Sequence, residues 1–263
     1  MKNSGSRRPT RHASPVAAPQ LMLGGMALGG MIALARCAQR ETASVIDRRA
    51  RRLALSPPIR RLDGIMWPLF PLGLPGGYIG IAYVTAHKLH CRRRRGGPAI
   101  VTSAWLGWLA HRAAKLVYTR ERPRRPGVKR RYDSYPSGHT TGATALALTT
   151  AYVLRRENLI SLPVAVAIAS VPPAVMGVYR VIDDEHWATD VLGGWMLGAA
   201  IGLTCNAVLA DAVGGAAHYV RGAVTSPRVI RRRDRPASAK SAAAAGRADS
   251  PGDRADTARP SVR

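Results

Sequence analysis

The sequence is short of acidic residues, phenylalanine and cysteine. Against 40 lysines and arginines it has 15 aspartates and glutamates, so the net charge is +25, and Phe70 is its single phenylalanine. Cys37, Cys91 and Cys205 are three in number and far apart. An odd count without a close pair does not indicate a disulfide framework. The deficit of acidic residues favours an anionic partner, either a nucleic acid or a membrane surface.

Of these two candidate partners, nucleic acid has less support in the sequence. Proteins that bind single strands interleave aromatic with basic residues so that bases can stack, and this sequence has no such interleaving. Much of the positive charge instead lies in tails and short loops beside apolar segments, where Lys and Arg contact anionic headgroups. We therefore predict membrane lipids, and no nucleic acid, as partners.

The apolar residues are concentrated in blocks. Mean hydropathy is only −0.08, because polar tails and loops offset segments close to the roughly 20 residues that cross a bilayer. These segments are 18–35, 65–86, 98–118, 138–154, 159–179 and 189–211. No clear small-residue cleavage site follows the first, which favours an uncleaved span over a signal peptide. We predict an all-α fold, an integral-membrane six-transmembrane-helix bundle with basic tails.

Small residues recur at four-residue spacing within these segments. This pattern is typical of helices that pack closely in membranes, and it indicates a bundle without indicating a function. The sets are Gly25/Gly29, Gly138/Gly142 and Gly194/Gly198/Gly202.

Four regions follow from composition. Residues 1–17 form a basic N-terminal tail and residues 18–220 the six-helix membrane domain. Within that domain, 42–63 is rich in arginine with leucines at helical spacing, which predicts an interfacial amphipathic helix on the membrane surface. Residues 221–263 are rich in Ala, Arg, Ser and Pro and have little to bury. We predict a disordered basic C-terminal tail there.

Three short polar blocks interrupt this apolar background and point to phosphoryl chemistry. They have the forms K-x6-R-P, P-S-G-H and R-x5-H-x3-D, and they contribute two histidines, one carboxylate and three cations. These groups suffice to move a phosphoryl group without a metal, because three cations can balance the charge on its oxygens. The residues are Lys115 and Arg122, then Ser137, Gly138 and His139, then Arg180, His186 and Asp190.

The phosphate-binding roles follow from side-chain chemistry. Arginine contacts phosphate through a planar fork and lysine acts as a point charge, so Lys115, Arg122 and Arg180 are assigned to the phosphoryl oxygens. Ser137 suits a helix N-cap and Gly138 allows close backbone approach. The helix start would then offer free N–H groups to the anion. Taken singly, a lysine or arginine beside a membrane segment is more often an interfacial anchor.

His186 and Asp190 form the predicted nucleophile pair. Residues four apart share one face of a helix. A carboxylate bonded to one ring nitrogen fixes the tautomer and leaves the other nitrogen free to attack. His186 is therefore the predicted nucleophile and Asp190 its orienting group. A structural histidine and a helix-capping aspartate are the alternatives for these residues taken one at a time.

Together the three motifs resemble the signature of the type 2 phosphatidic acid phosphatase superfamily, which also includes the vanadium haloperoxidases. The chain resembles the membrane-bound lipid phosphatase branch over about residues 65–205, and Tyr179 stands where that family usually has a serine. The resemblance implies that His139 protonates the leaving group and later activates water. It implies no metal and no other cofactor.

The predicted function is an integral-membrane, metal-independent phosphatase. It would hydrolyse a lipid phosphate or polyprenyl (pyro)phosphate through a phosphohistidine intermediate. Phosphoryl or headgroup transfer at the same site, a vanadate-dependent haloperoxidase and a non-catalytic lipid-binding protein are the alternatives, and the six apolar spans oppose the haloperoxidase. Neither the particular lipid nor the oligomeric state follows from the sequence.

Several charged residues near the motifs have two interpretations each. Six basic residues either hold a second phosphate or are surface charges near anionic lipid: Arg120, Arg124, Arg125, Lys129, Arg130 and Arg131. The acidic run 183–185 either orients Arg180 or repels product, or it is a solvated loop, which is the favoured interpretation. His111 either borders the site or packs structurally.

Charge distribution also predicts the orientation. The N-terminal tail, the 87–97 loop, the 155–157 turn and the C-terminal tail are basic, and cytoplasmic segments carry such an excess. This arrangement puts the three motifs on the outer face, although the arginines of 36–63 oppose it. We predict a multi-pass protein of the plasma membrane with an extracytoplasmic active site.

Overall fold

The computed structural model describes residues 17–40 and 43–225, and its regular structure there is helical. Ten α-helices follow one another in this part, with a 3-10 turn at Trp67–Leu69 between the fourth and fifth. They are α1 (Ala17–Arg40), α2 (Val45–Ala54), α3 (Pro57–Arg60), α4 (Leu62–Met66), α5 (Phe70–Gly73), α6 (Pro75–Cys91), α7 (Gly97–Val117), α8 (Gly138–Arg156), α9 (Leu162–Ile182) and α10 (Ala188–Thr225). The all-α prediction is confirmed for this part of the chain.

Helices occupy all six predicted apolar segments, but fewer meet the requirements of length and hydropathy for a membrane span. Within the described residues these are α1, α9 and the Ala188–Leu209 part of α10, and a fourth results if the bent pair Pro57–Gly73 and Pro75–Cys91 counts as one span. Helix α7 carries charged residues near its end, and α8 is rich in threonine. Ionisable and hydroxyl side chains lower hydropathy in helices whose inner faces line a polar cavity.

The second apolar segment is not the continuous helix 65–86 that its hydropathy predicted. The chain bends by 63° between Gly73 and Pro75, where Leu74 takes an extended conformation with φ −70° and ψ 152°. Proline has no N–H to donate and disfavours the helical conformation of the residue before it. Pro75 therefore ends one helix and begins the next at the cavity described below.

The segment 42–63 is also divided, although one amphipathic helix was predicted. Helix α2 ends at Ala54, and α3 begins at Pro57 after Ser56 takes an extended conformation. The start of α2 is fixed by a capping box, in which the Ser44 side chain and the Asp47 side chain bind each other's backbone N–H. Its location on the membrane surface remains a prediction.

The predicted tails fall largely outside the described residues. Ala17 already belongs to α1, and α10 continues through Thr225, beyond the predicted domain end at 220. The residues that the structure does not describe are 1–16, 41–42 and 226–263. The predictions of a basic N-terminal tail and a disordered C-terminal tail therefore remain predictions.

Close packing between α8 and α10 follows the glycine spacing predicted for the last helix. A Cβ on Gly194 would lie 2.8 Å from the Ser137 carbonyl oxygen, and one on Gly198 would lie 2.6 Å from that of Thr141. A Cβ on Gly202 would lie 3.0 Å from Leu148. The three glycines therefore let the backbones of two motif-bearing helices approach each other.

On α1 the glycines that make contact are not the predicted ones. A Cβ added to Gly25 or Gly29 would meet nothing within 4 Å, whereas one added to Gly24 or Gly30 would lie 3.3 Å from α10, at the Ala200 oxygen and the Met196 sulfur respectively. Gly24 and Gly30 are six residues apart and do not follow the four-residue spacing, so the sequence alone does not say which face of α1 meets the bundle.

Candidate active site

Two parts of the chain that are distant in sequence, the connection from α7 to α8 and the connection from α9 to α10, meet at one end of the helices. The C-terminal ends of α7 and α9 meet the N-terminal ends of α8 and α10, and the segment 118–137 covers them. A cavity of about 490 Å³ lies at this junction. Six of the eight predicted site residues line it: Lys115, Arg122, Gly138, His139, Arg180 and His186.

The other two predicted residues, Ser137 and Asp190, lie behind the cavity wall and are fully buried. Ser137 precedes α8 at the N-cap position, as predicted, but its side chain caps no backbone N–H. Its hydroxyl accepts a hydrogen bond from Thr140 Oγ1 at 2.9 Å. The Ser137 N–H donates to the Asp190 carbonyl oxygen at 3.0 Å, which ties the starts of α8 and α10 together.

His186 and Asp190 are neighbours, as their spacing predicted. The Nδ1 atom of His186 lies 3.5 Å from Asp190 Oδ2. That oxygen accepts hydrogen bonds from Ser134 Oγ at 2.5 Å and from the Trp187 N–H at 2.9 Å. Within the described residues, His186 Nδ1 has no hydrogen-bond partner. Asp190 is thus held firmly and lies beside the ring nitrogen that it would orient.

The His186 imidazole is neutral in this environment. Burial lowers its pKa well below the usual value, and the positive charges of Arg122, Arg180 and Lys115 lower it further. Both causes disfavour the protonated ring. A neutral ring retains the lone pair that a nucleophile needs.

Acidic side chains of the site are paired with the predicted phosphate-binding cations. Arg122 donates to Asp133 Oδ1 at 2.9 Å and to Glu185 Oε2 at 2.7 Å. Arg180 donates to Asp183 Oδ2 at 2.6 Å, and Lys115 Nζ lies 3.7 Å from Asp133 Oδ2. These pairs hold the cations at the cavity wall.

Asp133 stays ionised in this setting. Burial alone would raise its pKa, but the hydrogen bond and charge of Arg122, with the charges of Lys115 and Arg131, hold that pKa well below its usual range. The Asp133 carboxylate therefore pairs with these cations until another anion competes for them.

The acidic run 183–185 is not a solvated loop, so the favoured interpretation of it was wrong. Asp183 binds Arg180, and Glu185 binds Arg122 and also Arg125, the latter at 2.6 Å. Asp184 is buried and accepts from Arg51 Nε at 2.7 Å. Each carboxylate of the run is committed to a guanidinium, which fits the alternative in which the run orients Arg180.

Two buried residues behind the site, Asp47 and Arg120, are specified by none of the three motifs. Arg120 donates to Asp190 Oδ1 at 2.6 Å and to Asp47 Oδ2 at 2.7 Å. Arg120 was one of six basic residues considered for a second phosphate, and this burial between two carboxylates contradicts that role. The one available signal for Asp47 is that it and Asp63 are the two acidic residues of the arginine-rich segment 42–63.

The remaining five basic residues differ in position. Arg125 and Arg131 line the cavity, whereas Arg124, Lys129 and Arg130 line an adjoining depression of about 210 Å³. Arg125 and Arg131 are therefore placed where they could bind a second phosphate in the cavity.

Aromatic and histidine side chains also line the cavity, and the Arg180 guanidinium lies 5.5 Å from the Phe70 ring centroid. Trp67, Phe70 and Tyr78 come from the broken second segment, and His111 comes from α7. The Phe70 ring centroid lies 5.2 Å from that of His139. Of the two interpretations of His111, the structure supports the one in which it borders the site.

Tyr179, at the position where the family usually has a serine, is buried and lines the same cavity. Among the described residues, no group of three or more His, Cys, Asp or Glu side chains is arranged to hold a metal ion. The groups that the cavity offers to an anion are cations and imidazoles.

The fold and the cavity define a class of protein, a helical membrane protein with a site for a phosphate ester. The PAP2 superfamily model matches residues 96–213. Decaprenylphosphoryl-5-phosphoribose phosphatase of Mycobacterium tuberculosis, in two strains, is 32% identical over 153 residues, covering 55% of this chain and 76% of that protein. The chain belongs to the PAP2 superfamily, and it is a multi-pass membrane lipid phosphatase.

A solved structure supports the same fold. The transmembrane PAP2 type phosphatidylglycerolphosphate phosphatase from Bacillus subtilis superposes with a TM-score of 0.60. The match covers 73% of this chain and 96% of that one at 20% sequence identity. At this identity the likeness concerns the arrangement of helices and not the substrate.

Proposed function

We propose that the protein removes a terminal phosphate from a polyprenyl-linked phosphosugar, or from a related polyprenyl phosphate, through a phosphohistidine on His186. The observation that carries the proposal is the cavity in which the two motif histidines and the three motif cations meet, with Asp190 behind His186. The substrate class is drawn from the curated relatives, whose name describes a decaprenylphosphoryl phosphoribose phosphatase.

The proposed first step transfers the phosphoryl group to the enzyme. Lys115, Arg122 and Arg180 bind the phosphoryl oxygens and balance their charge as the ester bond breaks. His186 Nε2 attacks phosphorus, and His139 gives a proton to the departing oxygen. Asp190 stabilises the positive charge that develops on the His186 ring. The step leaves a phosphohistidine and a free alcohol.

The proposed second step regenerates the enzyme. His139, now neutral, takes a proton from water, and the resulting hydroxide attacks the phosphohistidine. The phosphorus–nitrogen bond breaks, and inorganic phosphate leaves as His186 returns to its neutral form. Asp133 and Glu185 then pair again with Arg122 and Lys115, which helps to displace the product anion.

Cavity shape supports a leaving group larger than a hydroxyl. The volume of about 490 Å³ exceeds that of one phosphate, and Trp67, Phe70 and Tyr78 contribute aromatic surface to the cavity wall. Aromatic side chains of this kind present broad apolar faces with polar tips. A sugar ring would lie against that wall, while the polyprenyl chain remains in the bilayer.

We further propose six membrane spans in the plasma membrane, with the cavity on the extracytoplasmic face. Helices α7 and α8 would be the spans that hydropathy alone does not identify, because their inner faces carry site residues. Support for the orientation comes from the basic residues at the opposite helix ends, Arg92–Arg95 and Arg155–Arg156, since cytoplasmic loops carry the excess of Lys and Arg.

The test is phosphate release by detergent-purified protein in the presence of EDTA. Substrates would be a polyprenyl phosphoribose phosphate, a polyprenyl diphosphate, phosphatidic acid and phosphatidylglycerol phosphate. His186→Ala is compared with His90→Ala, an exposed histidine outside the site. We expect EDTA-resistant release that favours the polyprenyl substrates and falls by about a thousandfold or more in His186→Ala. His90→Ala should match the wild type.

A rapid quench into alkaline detergent should also trap an acid-labile, base-stable phosphoenzyme in the wild type but not in His186→Ala. Loss of activity in EDTA, or wild-type release by His186→Ala, would contradict the mechanism. If an added alcohol accepts the phosphoryl group in preference to water, the protein is a transferase at the same site.

A further inference from the structure

A buried ion cluster links the first part of the chain to the proposed nucleophile pair. Arg120 lies between Asp47 and Asp190, and the side chains of all three residues are at most 2% exposed. Arg120 Nη2 donates to Asp47, and its Nη1 donates both to Asp190 and to Thr189 Oγ1, the latter at 2.7 Å. The three ionic residues come from α2, the segment 118–137 and α10.

The charge of this cluster matters for the chemistry at His186. If Arg120 were paired with Asp190 alone, the two charges would cancel, and little attraction would remain for a positive charge on the imidazole. Asp47 is a second carboxylate on the same guanidinium. The cluster of three therefore keeps one net negative charge, and Asp190 is its member next to His186. Because the site is buried, that charge is weakly screened.

Asp47 also fixes the start of α10. Its Oδ1 atom accepts hydrogen bonds from the Thr189 N–H and the Thr189 hydroxyl, both at 2.9 Å. The first N–H groups of a helix have no partner within the helix, so a carboxylate from α2 stabilises the turn that carries Asp190. Asp47 is in turn held by the Ser44 capping box at the start of α2.

We infer that Asp47 and Arg120 are positioning residues for this active site, which fix Asp190 in place and keep a net negative charge beside His186. The inference rests on the proposed function, in which His186 becomes positively charged during phosphoryl transfer. Neither residue touches the cavity. Their effect on the reaction passes through Asp190, so it should appear in the chemical step and not in substrate binding.

The test compares Asp47→Asn with Arg51→Gln. The first variant keeps the side-chain shape, removes the second negative charge of the cluster and replaces one accepting oxygen with an amide nitrogen that donates. The second removes another anchor of α2, because Arg51 binds Asp184 through Nε at 2.7 Å and Nη2 at 2.8 Å, and it leaves the cluster intact. Thermal unfolding and gel filtration of both variants in detergent establish how much protein is folded, and kcat and KM are measured on that fraction.

We expect Asp47→Asn to lower kcat about 10- to 100-fold, as is typical when a partner behind a reacting group is lost, with KM within about twofold of the wild type. Arg51→Gln should keep kcat within about twofold. Wild-type kcat in Asp47→Asn, a change in KM alone, or an equal loss in both variants would overturn the inference, since equal loss would mean that only the docking of α2 matters.

His186→Ala is measured in the same series so that two failures can be told apart. If His186→Ala retains activity, the proposed function fails. If His186→Ala is inactive and Asp47→Asn is fully active, only the positioning role fails.

Discussion

At the scale of single residues, Gly73 sets the position of the proposed general acid. A Cβ at this position would lie 2.5 Å from His139 Cδ2 and 2.7 Å from the Met176 sulfur. We expect Gly73→Ala to displace the His139 ring and to lower kcat by about tenfold or more, because small misplacements of reacting groups are costly. The added methyl group should lower the free energy of unfolding by about 1–3 kcal/mol.

Gly76→Ala is the matched control, since a Cβ there has nothing within 4 Å. Phosphate release and thermal unfolding of both variants check the prediction. Equal kcat in Gly73→Ala and Gly76→Ala would mean that His139 is not constrained by this contact.

His186 gives a prediction about pH. Its pKa in the folded protein lies well below the usual value because of burial and the neighbouring cations. Below about pH 6.5 the unfolded chain therefore binds a proton at this residue that the folded protein does not. The resulting contribution to stability is complete above about pH 6.5 and is lost as pH falls toward the folded pKa.

We expect the free energy of unfolding of the wild type to fall by about 1.4 kcal/mol more per pH unit below pH 6.5 than that of His186→Gln. Unfolding in detergent at pH 7, 6 and 5 measures the difference, and His90→Ala, an exposed histidine, should behave as the wild type does. If the free energy of unfolding falls equally with pH in the wild type and in His186→Gln, the folded protein protonates His186 as readily as the unfolded chain does.

The predicted and the missed site residues differ in the sequence separation between interacting partners. Lys115 to Arg122 and His186 to Asp190 are separated by short, fixed spacings that chemistry can interpret. Asp47 instead meets Arg120 across 73 residues and Thr189 across 142. Such contacts depend on how α2 docks, which no local spacing specifies.

At the scale of helices, the contact between α8 and α10 aligns the motifs proposed for catalysis. A Cβ on Gly198 would lie 2.5 Å from Thr144 Cβ and 2.6 Å from the Thr141 carbonyl oxygen. Because a backbone atom cannot rotate away, we expect Gly198→Ala to separate the helices and lower the free energy of unfolding by about 1–3 kcal/mol. It should also lower kcat, since α8 carries His139 and α10 carries Asp190.

Gly25→Ala on α1 is the control for this change, since a Cβ at Gly25 meets nothing within 4 Å. Unfolding temperature and phosphate release are measured for both variants. If both variants unfold at the same temperature as the wild type, α8 and α10 are not in the close contact that the glycines allow.

Helix positions were largely predictable, whereas helix breaks were not. Segments of suitable length and hydropathy marked where helices lie, because a buried or lipid-facing helix must be apolar over its length. The break at Leu74–Pro75 was missed although Pro68, Pro71 and Pro75 stand inside the segment. Prolines are tolerated in membrane helices when neighbouring groups satisfy the freed backbone, so their presence alone did not decide between a span and a bend.

At the scale of the whole molecule, the orientation rests on two opposing charge patterns. The loop after α6 carries Arg92–Arg95, and α8 ends with Arg155 and Arg156, which favour a cytoplasmic location for that end. The arginines of α2, near the cavity, favour the reverse. Both patterns lie in short loops beside spans, where Lys and Arg influence topology. We propose that the pattern at the ends of α6 and α8 prevails, so we expect the cavity end to be extracytoplasmic.

Thiol labelling in intact cells decides between the two orientations. Cys91, exposed at the end of α6, should react with a membrane-impermeant maleimide only after permeabilisation, whereas Lys129→Cys in the segment 118–137 should react at once. Both are measured in a Cys37→Ser background, because Cys37 is also exposed, while Cys205 is buried. The reverse labelling pattern would put the cavity in the cytoplasm. A lipid phosphate would then be hydrolysed on the inner leaflet, and the arginines of α2 would be the ones that follow the positive-inside rule.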